Sequence, residues 1–297
     1  MTQDPYLEPD FHPVAEIPET TVFVPGTSIE FVHPWRKRRP PEHVLFDFDG
    51  TLSLIREGWP EVMVPMMVEI LSEAGAPESP EELQEYCYDF VMQLNGKQTI
   101  YQMIRLAEEV RRRGGTPLDP LTYKRIYHER LMERIAERRE GLRSGKIPRE
   151  QMLVPFALEF LEALQQIGCR LYLASGTDEI YVREEAALLG LDRYFGNEIH
   201  GAVDEYRTFS KAAVIERILR SHQVPGDSLV GFGDGYVEIQ NVKAVGGLAV
   251  AAATDERNRS GRPDPWKRER LIRAGADLVI PDYRDWEKLI ELIWRNP

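Results

Sequence analysis

The chain has 297 residues, 42% of them hydrophobic and 29% charged, an ordinary globular balance for one large domain or two of usual size. Lys and Arg number 37 against 49 Asp and Glu, and the resulting formal net charge of −12 repels polyphosphate backbones and argues against a nucleic-acid partner. Two cysteines, Cys87 and Cys169, exclude a disulfide framework and a CxxC-type zinc site, and no apolar run approaches the ~18–20 residues a membrane helix needs, so no membrane partner is expected.

In chain order, Met1 leads into Asp4, Glu8 and Asp10 rather than into a basic and then an apolar segment; no secretory leader is expected, and the location expected is cytoplasmic. Residues 1–42 read as a separate extension, because prolines at 5, 9, 13, 18, 25, 34, 40 and 41 forbid a long helix. Two short β-prone runs around Pro25-Gly26 predict a hairpin over 21–33, followed by the basic linker Arg36, Lys37, Arg38 and Arg39. HVLFDF at 43–48 reads as a buried strand. From about Trp59 to Gly145 the apolar spacing turns helical, in stripes such as Val62, Met66, Ile70 and Ile100, Met103, Ala107, with breaks at Gly75–Pro80, Asn95-Gly96 and Gly114–Pro120. After Pro148 helices and strands alternate. Helices are predicted over 156–167, 179–189, 211–221 and 284–294, and strands over 170–174, near 195–200, and over 228–233, 247–251 and 277–280. Such alternation indicates a parallel sheet covered on both faces. The fold class is therefore α/β, with one sheet domain (43–54 and 150–297) interrupted after its first strand by an all-helical domain (55–149).

In open α/β sheets the reactive groups gather where strands end. Those ends deliver Asp47-Phe48-Asp49-Gly50-Thr51, then Ser175-Gly176-Thr177, then Gly233-Asp234-Gly235 with Glu238 beyond, and Lys211 opens the helix before the last of them. Asp47, Asp49, Asp234 and Glu238 would repel one another unless protonated or offset by a cation, and an all-oxygen set suits Mg²⁺ before zinc. Lys211, the Ser175 hydroxyl and the amides of Gly50 and Gly176 add the donors that phosphoryl transfer needs. The string GFGDGY is not a dinucleotide fingerprint, since Tyr236 takes the third glycine position. No phosphate-loop lysine motif, GxSxG elbow or HExxH spacing occurs.

VLFDFDGTL, LYLASGT, SKAAVIERIL and LVGFGDGYVE, in this order and with the lysine 23 residues before Asp234, resemble the haloacid dehalogenase superfamily. The resemblance implies a Rossmann-like core with an inserted helical cap and a Mg²⁺-dependent phosphatase acting on a small phosphorylated substrate, a sugar or polyol phosphate. It implies Asp47 as the nucleophile that forms an aspartyl-phosphate and Asp49 as general acid/base. Asp234 would be a metal ligand together with the Asp47 carboxylate and the Asp49 carbonyl, and Ser175 and Lys211 the phosphate-binding pair with Gly50, Thr51 and Gly176 beside them. Glu238 departs from the family's aspartate and would reach the metal through water. Two alternatives stay open: a sugar phosphomutase on the same site, and a regulatory or scaffolding subunit whose residues 1–42 dock a protein partner.

The inserted block contributes Asn95 and Lys97 as substrate-selecting candidates. Residues 57–89 hold nine acidic side chains and no basic one, whereas 97–149 hold 14 basic and 7 acidic, a field that either draws an anionic substrate or belongs to solvated helix faces. The segment 254–270 reads as a loop with Arg257, Arg259 and Arg262 as candidate phosphate contacts.

Overall fold

The computed structural model describes residues 10–33 and 39–295. The predicted hairpin forms from β1 (Val22–Phe23) and β2 (Glu30–Phe31), paired antiparallel, and β3 (His43–Phe46) follows. Four helices come next: α1 (Pro60–Glu73), α2 (Pro80–Gln93), α3 (Thr99–Arg112) and α4 (Pro120–Arg143). Their starts follow local chemistry. Pro occupies the first turn of α1, α2 and α4, where its missing N–H costs nothing, and Ser79 with Glu82 closes a reciprocal cap on α2. The chain then runs α5 (Ala157–Gln166), β4 (Arg170–Asp178), α6 (Glu179–Leu188), α7 (Asp192–Phe195), β5 (Ile199–Ala202), α8 (Lys211–His222), β6 (Leu229–Gly233), α9 (Tyr236–Ala244), β7 (Leu248–Ala252), α10 (Pro265–Arg273), β8 (Leu278–Ile280) and α11 (Trp286–Ile290).

The eight strands among the described residues form one sheet in the order β1-β2-β8-β7-β6-β3-β4-β5, parallel from β8 to β5. β3 lies between β4 and β6, and the chain passes outward on one side of it and returns on the other. That reversal opens a crevice at the C-terminal end of β3. Residue alternation sorts the core by face: Phe46 stacks on Phe232 at 5.0 Å on one side, with Phe160 and Tyr283 beside them, while Leu45 and Tyr172 serve the other.

Several expectations are corrected. The extension over its described part is built into the sheet, because β2 pairs antiparallel with β8 and buried Glu30 forms an ion pair with Arg268. Arg36, Lys37 and Arg38 lie outside the described residues, and Arg39 is exposed. Residues 265–270, read as the end of a loop, belong to α10, which Asp264 caps by accepting from the Lys267 amide; its dense charge hid the short apolar face of Leu271 and Ile272. The last helix narrows to α11 and a wider π turn over 291–295. The charge asymmetry of the helical block resolves in part into pairs between its acidic and basic segments, Arg130–Glu69 at 2.8 Å, Arg134–Glu61 at 3.1 Å and Arg138–Glu57 at 2.9 Å. Among the described residues no helix is long and apolar enough to cross a membrane.

Candidate active site

β3 ends at Phe46, and the chain leaves it through Asp47, Phe48 and Asp49 into a turn that Gly50 makes at φ +73°, a conformation that glycine adopts without a Cβ penalty. A Cβ on Gly50 would meet the Asp234 carboxylate, so the missing side chain also lets Asp234, at the end of β6, press against this turn. The crevice is lined by Asp47, Asp49, Gly50, Ser175, Gly176, Lys211 and Asp234 from the strand ends. Arg56, Trp59, Met63, Asn95, Lys97, Gln102 and Tyr127 line it from the turn after β3 and from the helical block.

Lys211, at the first position of α8, is 1% exposed and donates from Nζ to Asp47 Oδ1 at 3.0 Å, while buried Glu238 pairs with the same ammonium. Burial pushes the Asp47 carboxyl up to about 6 against the pull of Lys211, and the nearby Asp234 adds to the rise. Asp49 goes further, to about 7: burial dominates, opposed by Arg56 and by the hydrogen bond it accepts on Oδ2 from the Thr177 hydroxyl at 2.9 Å. Arg56 is itself held by Glu185, with Nη2 2.9 Å and Nε 3.0 Å from its two oxygens, and Arg56 Nε lies 3.9 Å from Asp49 Oδ1. This buried ion pair fastens the turn after β3 to α6.

The helical block reaches the strand ends through the turn between α2 and α3. Gly96 and Gly235 face each other backbone to backbone, and a Cβ on Gly176 would stand 2.7 Å from the Lys97 carbonyl oxygen. Lys97 Nζ donates to Asp10 Oδ1 at 2.6 Å, which ties the N-terminal segment to the mouth of the crevice. That segment is seated by Phe11, which packs on Tyr236 and beneath the Arg270 guanidinium.

Of the residues singled out from sequence, Asp47, Asp49, Gly50, Asn95, Lys97, Ser175, Gly176, Lys211 and Asp234 converge on one crevice. Thr51 and Glu238 do not line it: both are buried, and Glu238 is turned to Lys211. The segment after β7 does reach the crevice, but with Glu256. Arg257, Arg259 and Arg262 are exposed, and Arg257 lies 3.7 Å from Glu61. Sequence reasoning missed Arg56, Glu185, Glu256 and Lys267. Lys267 stands in a string of charges with nothing local to distinguish it, and Arg56 follows Leu54 and Ile55 with no motif of its own.

The model of the haloacid dehalogenase-like hydrolase family matches residues 41–246. Among solved structures, a family IA hydrolase from Entamoeba histolytica HM-1:IMSS is 19% identical with a TM-score of 0.54, over 85% of this chain and 99% of that one. A predicted phosphatase from Clostridium acetobutylicum is 16% identical at a TM-score of 0.54, over 84% and 99%. A predicted phosphoglycolate phosphatase from Haemophilus somnus 129PT is 17% identical at 0.53, over 85% and 99%. At these identities the likeness is one of fold. None of the curated protein sequences compared with the chain matches it. With the family model spanning more than half of its length, the chain belongs to the haloacid dehalogenase-like hydrolases.

Hydrolases of this family generally use Mg²⁺. Among the described residues no three His, Cys, Asp or Glu side chains form a ready metal cage. The donors at the crevice are nonetheless of the right kind: the Asp47 and Asp234 carboxylates and the main-chain carbonyl of Asp49, all oxygen, with Asp234 brought against that turn by the space Gly50 leaves. The residues present fit the ion.

Proposed function

We propose that the chain is a Mg²⁺-dependent phosphatase that hydrolyses a small phosphorylated metabolite, a sugar or polyol monophosphate, through an aspartyl-phosphate on Asp47. The observation that carries this reading is the pairing of two neighbouring carboxylates in opposite roles: Asp47 held by the Lys211 ammonium, and Asp49 pushed up to about 7 beside it.

The Asp47 carboxylate attacks phosphorus, the bond from phosphorus to the ester oxygen breaks, and Asp49 gives its proton to the departing alkoxide. Asp49, now ionised, takes a proton from water; the resulting hydroxide attacks the aspartyl-phosphate, the bond from phosphorus to Asp47 breaks, and inorganic phosphate leaves. Lys211, Ser175 and the Gly176 amide would hold the phosphoryl oxygens. Mg²⁺ held by Asp47, Asp234 and the Asp49 carbonyl would offset the negative charge of the phosphoryl group. The helical block would act as the cap that excludes water during transfer to Asp47.

The leaving group would face Trp59, Asn95, Gln102 and Tyr127, amides and aromatic rings suited to hydroxyls, with the Glu57 carboxylate beside them. The lining cations Arg56, Lys97 and Lys211 each already hold a carboxylate, which disfavours a substrate with a second anionic group.

The test is phosphate release from a panel of sugar, polyol, nucleotide and amino-acid phosphates with Mg²⁺, with EDTA, and with Asp47→Asn. Release with Mg²⁺ from sugar or polyol monophosphates, lost in EDTA and reduced at least about 10³-fold in the folded variant, is expected. Release that survives Asp47→Asn would sink the nucleophile, and conversion to an isomeric sugar phosphate without free phosphate would make the protein a mutase.

A further inference from the structure

Lys267 and Glu256 have no part in the chemistry above, yet they surround the carboxylate on which it depends. Lys267 sits in the first turn of α10 with its side chain one-tenth exposed. Its Nζ is 2.7 Å from Asp234 Oδ2 and 2.6 Å from Glu256 Oε1. Both acids close on the same turn: a Cβ on Gly50 would touch the Asp234 carboxylate and stand 3.0 Å from Glu256 Oε1. Asp47, Asp234 and Glu256 all line the crevice, whereas Lys267 stands behind them. One buried ammonium thus engages one oxygen from each of two crevice carboxylates.

We propose that Lys267 is a positioning residue that sets the cation selectivity of the site, withdrawing one oxygen of Glu256 and one of Asp234 from the donor set so that Mg²⁺ is favoured over Ca²⁺. The proposal rests on the reading that the crevice holds a divalent cation. Ca²⁺ takes about six to eight oxygens at ~2.3–2.6 Å and accepts two-oxygen carboxylates, whereas Mg²⁺ takes six at ~2.0–2.1 Å and keeps several waters. An Asp234 with Oδ2 held by an ammonium offers a cation one oxygen, and a Glu256 held through Oε1 by the same ammonium can no longer bind one through both oxygens. The set left to the crevice is then Asp47, a carbonyl, and Asp234 and Glu256 through at most one oxygen each, small enough for a hydrated Mg²⁺ and poor for Ca²⁺. The fixed positive charge also lowers the affinity for either ion, since like charges repel.

The experiment is calorimetric titration of the full-length protein with MgCl₂ and, separately, CaCl₂, using wild type, Lys267→Met, Glu256→Gln and the double variant, each checked for folding by circular dichroism. Lys267→Met is expected to gain affinity for both ions and at least about tenfold more for Ca²⁺ than for Mg²⁺, because it frees two carboxylate oxygens. The double variant should lose most of that extra Ca²⁺ gain. A folded Lys267→Met whose Ca²⁺ to Mg²⁺ ratio matches wild type would overturn the role of Lys267 while leaving the Mg²⁺ site standing. Wild type that binds neither ion, yet releases phosphate in EDTA, would overturn the metal reading itself. Glu256→Gln leaves Asp234 tied to Lys267 but that ammonium less neutralised, so both ions are expected to bind more weakly by a similar factor, with the Ca²⁺ to Mg²⁺ ratio of wild type. A folded Glu256→Gln whose Ca²⁺ to Mg²⁺ ratio differs from wild type would make Glu256 itself the source of selectivity and defeat the proposal even if Lys267→Met failed to fold.

Discussion

Asp47 and Asp49 are two positions apart in sequence, but different neighbours surround them. Asp47 shares an ammonium with Glu238, and Asp49 is held by a hydroxyl and stands 3.9 Å from a guanidinium already committed to Glu185. In a phosphatase of the proposed kind, kcat/KM should trace a bell against pH. On the alkaline side it should fall as Asp49 loses its proton, near pH 7; on the acid side it should fall as Asp47 gains one, near pH 6 or lower where a bound cation draws it down. The same shift governs stability. The Asp49 carboxyl stands above its unfolded value, so its contribution to folding is full below about pH 4 and is lost as the pH rises through about 7. Asp49→Asn should therefore raise the unfolding temperature of the metal-free protein by a few degrees at pH 8 and leave it nearly unchanged at pH 4.5. A variant equally stabilised at both pH values would show that ionisation of Asp49 is not the cause. The aspartates themselves were legible in DFDGT and GDG, since their spacing at strand ends survives without coordinates. Their partners Arg56, Glu185 and Lys267 were not, because each comes from a separate segment and gains meaning only from whom it meets.

At the scale of elements, the decisive contact is made by backbone. The turn carrying Asn95, Gly96 and Lys97 rests on Gly176 and Gly235 with no side chain between them. A side chain at Gly176 would strike the Lys97 carbonyl and hold the helical block off the strand ends. Gly176→Ala should lower kcat/KM by about tenfold to a hundredfold, as expected for misplacing the parts of a site by an ångström, with little change in unfolding temperature. Full activity in that variant would show that the turn does not need to seat for turnover. The existence of these elements was legible from apolar periodicity, which is local. α10 was not, because only Leu271 and Ile272 give it an apolar face, and the faces of α1 and α4 that meet through ion pairs read in sequence only as blocks of opposite charge.

Across the whole molecule, the N-terminal hairpin closes the sheet. Val24, Ile29 and Val32 are buried, Ser28 donates its amide to Asp285 Oδ2 at 2.7 Å, and β2 covers the edge of β8. Removing residues 1–33 would take away three buried apolar side chains, each contributing about 1.5–3 kcal/mol, and would bare the edge of β8. Such a protein should unfold roughly 10 °C lower and associate through β8, as size-exclusion chromatography would detect. An unchanged unfolding temperature would mean that the hairpin is dispensable.

By itself, the sequence determined the α/β class, the helical block after the first strand and the strand-end carboxylates, lysine and serine, because periodicity and motif order are properties of neighbouring residues. Only the tertiary structure decided that the extension is part of the sheet and that Glu238 serves Lys211. It also decided that Lys267 and Glu256 surround Asp234. Those arrangements depend on side chains far apart in the chain meeting at one buried place, where desolvation makes a partner compulsory and sequence spacing carries no record of which partner it is.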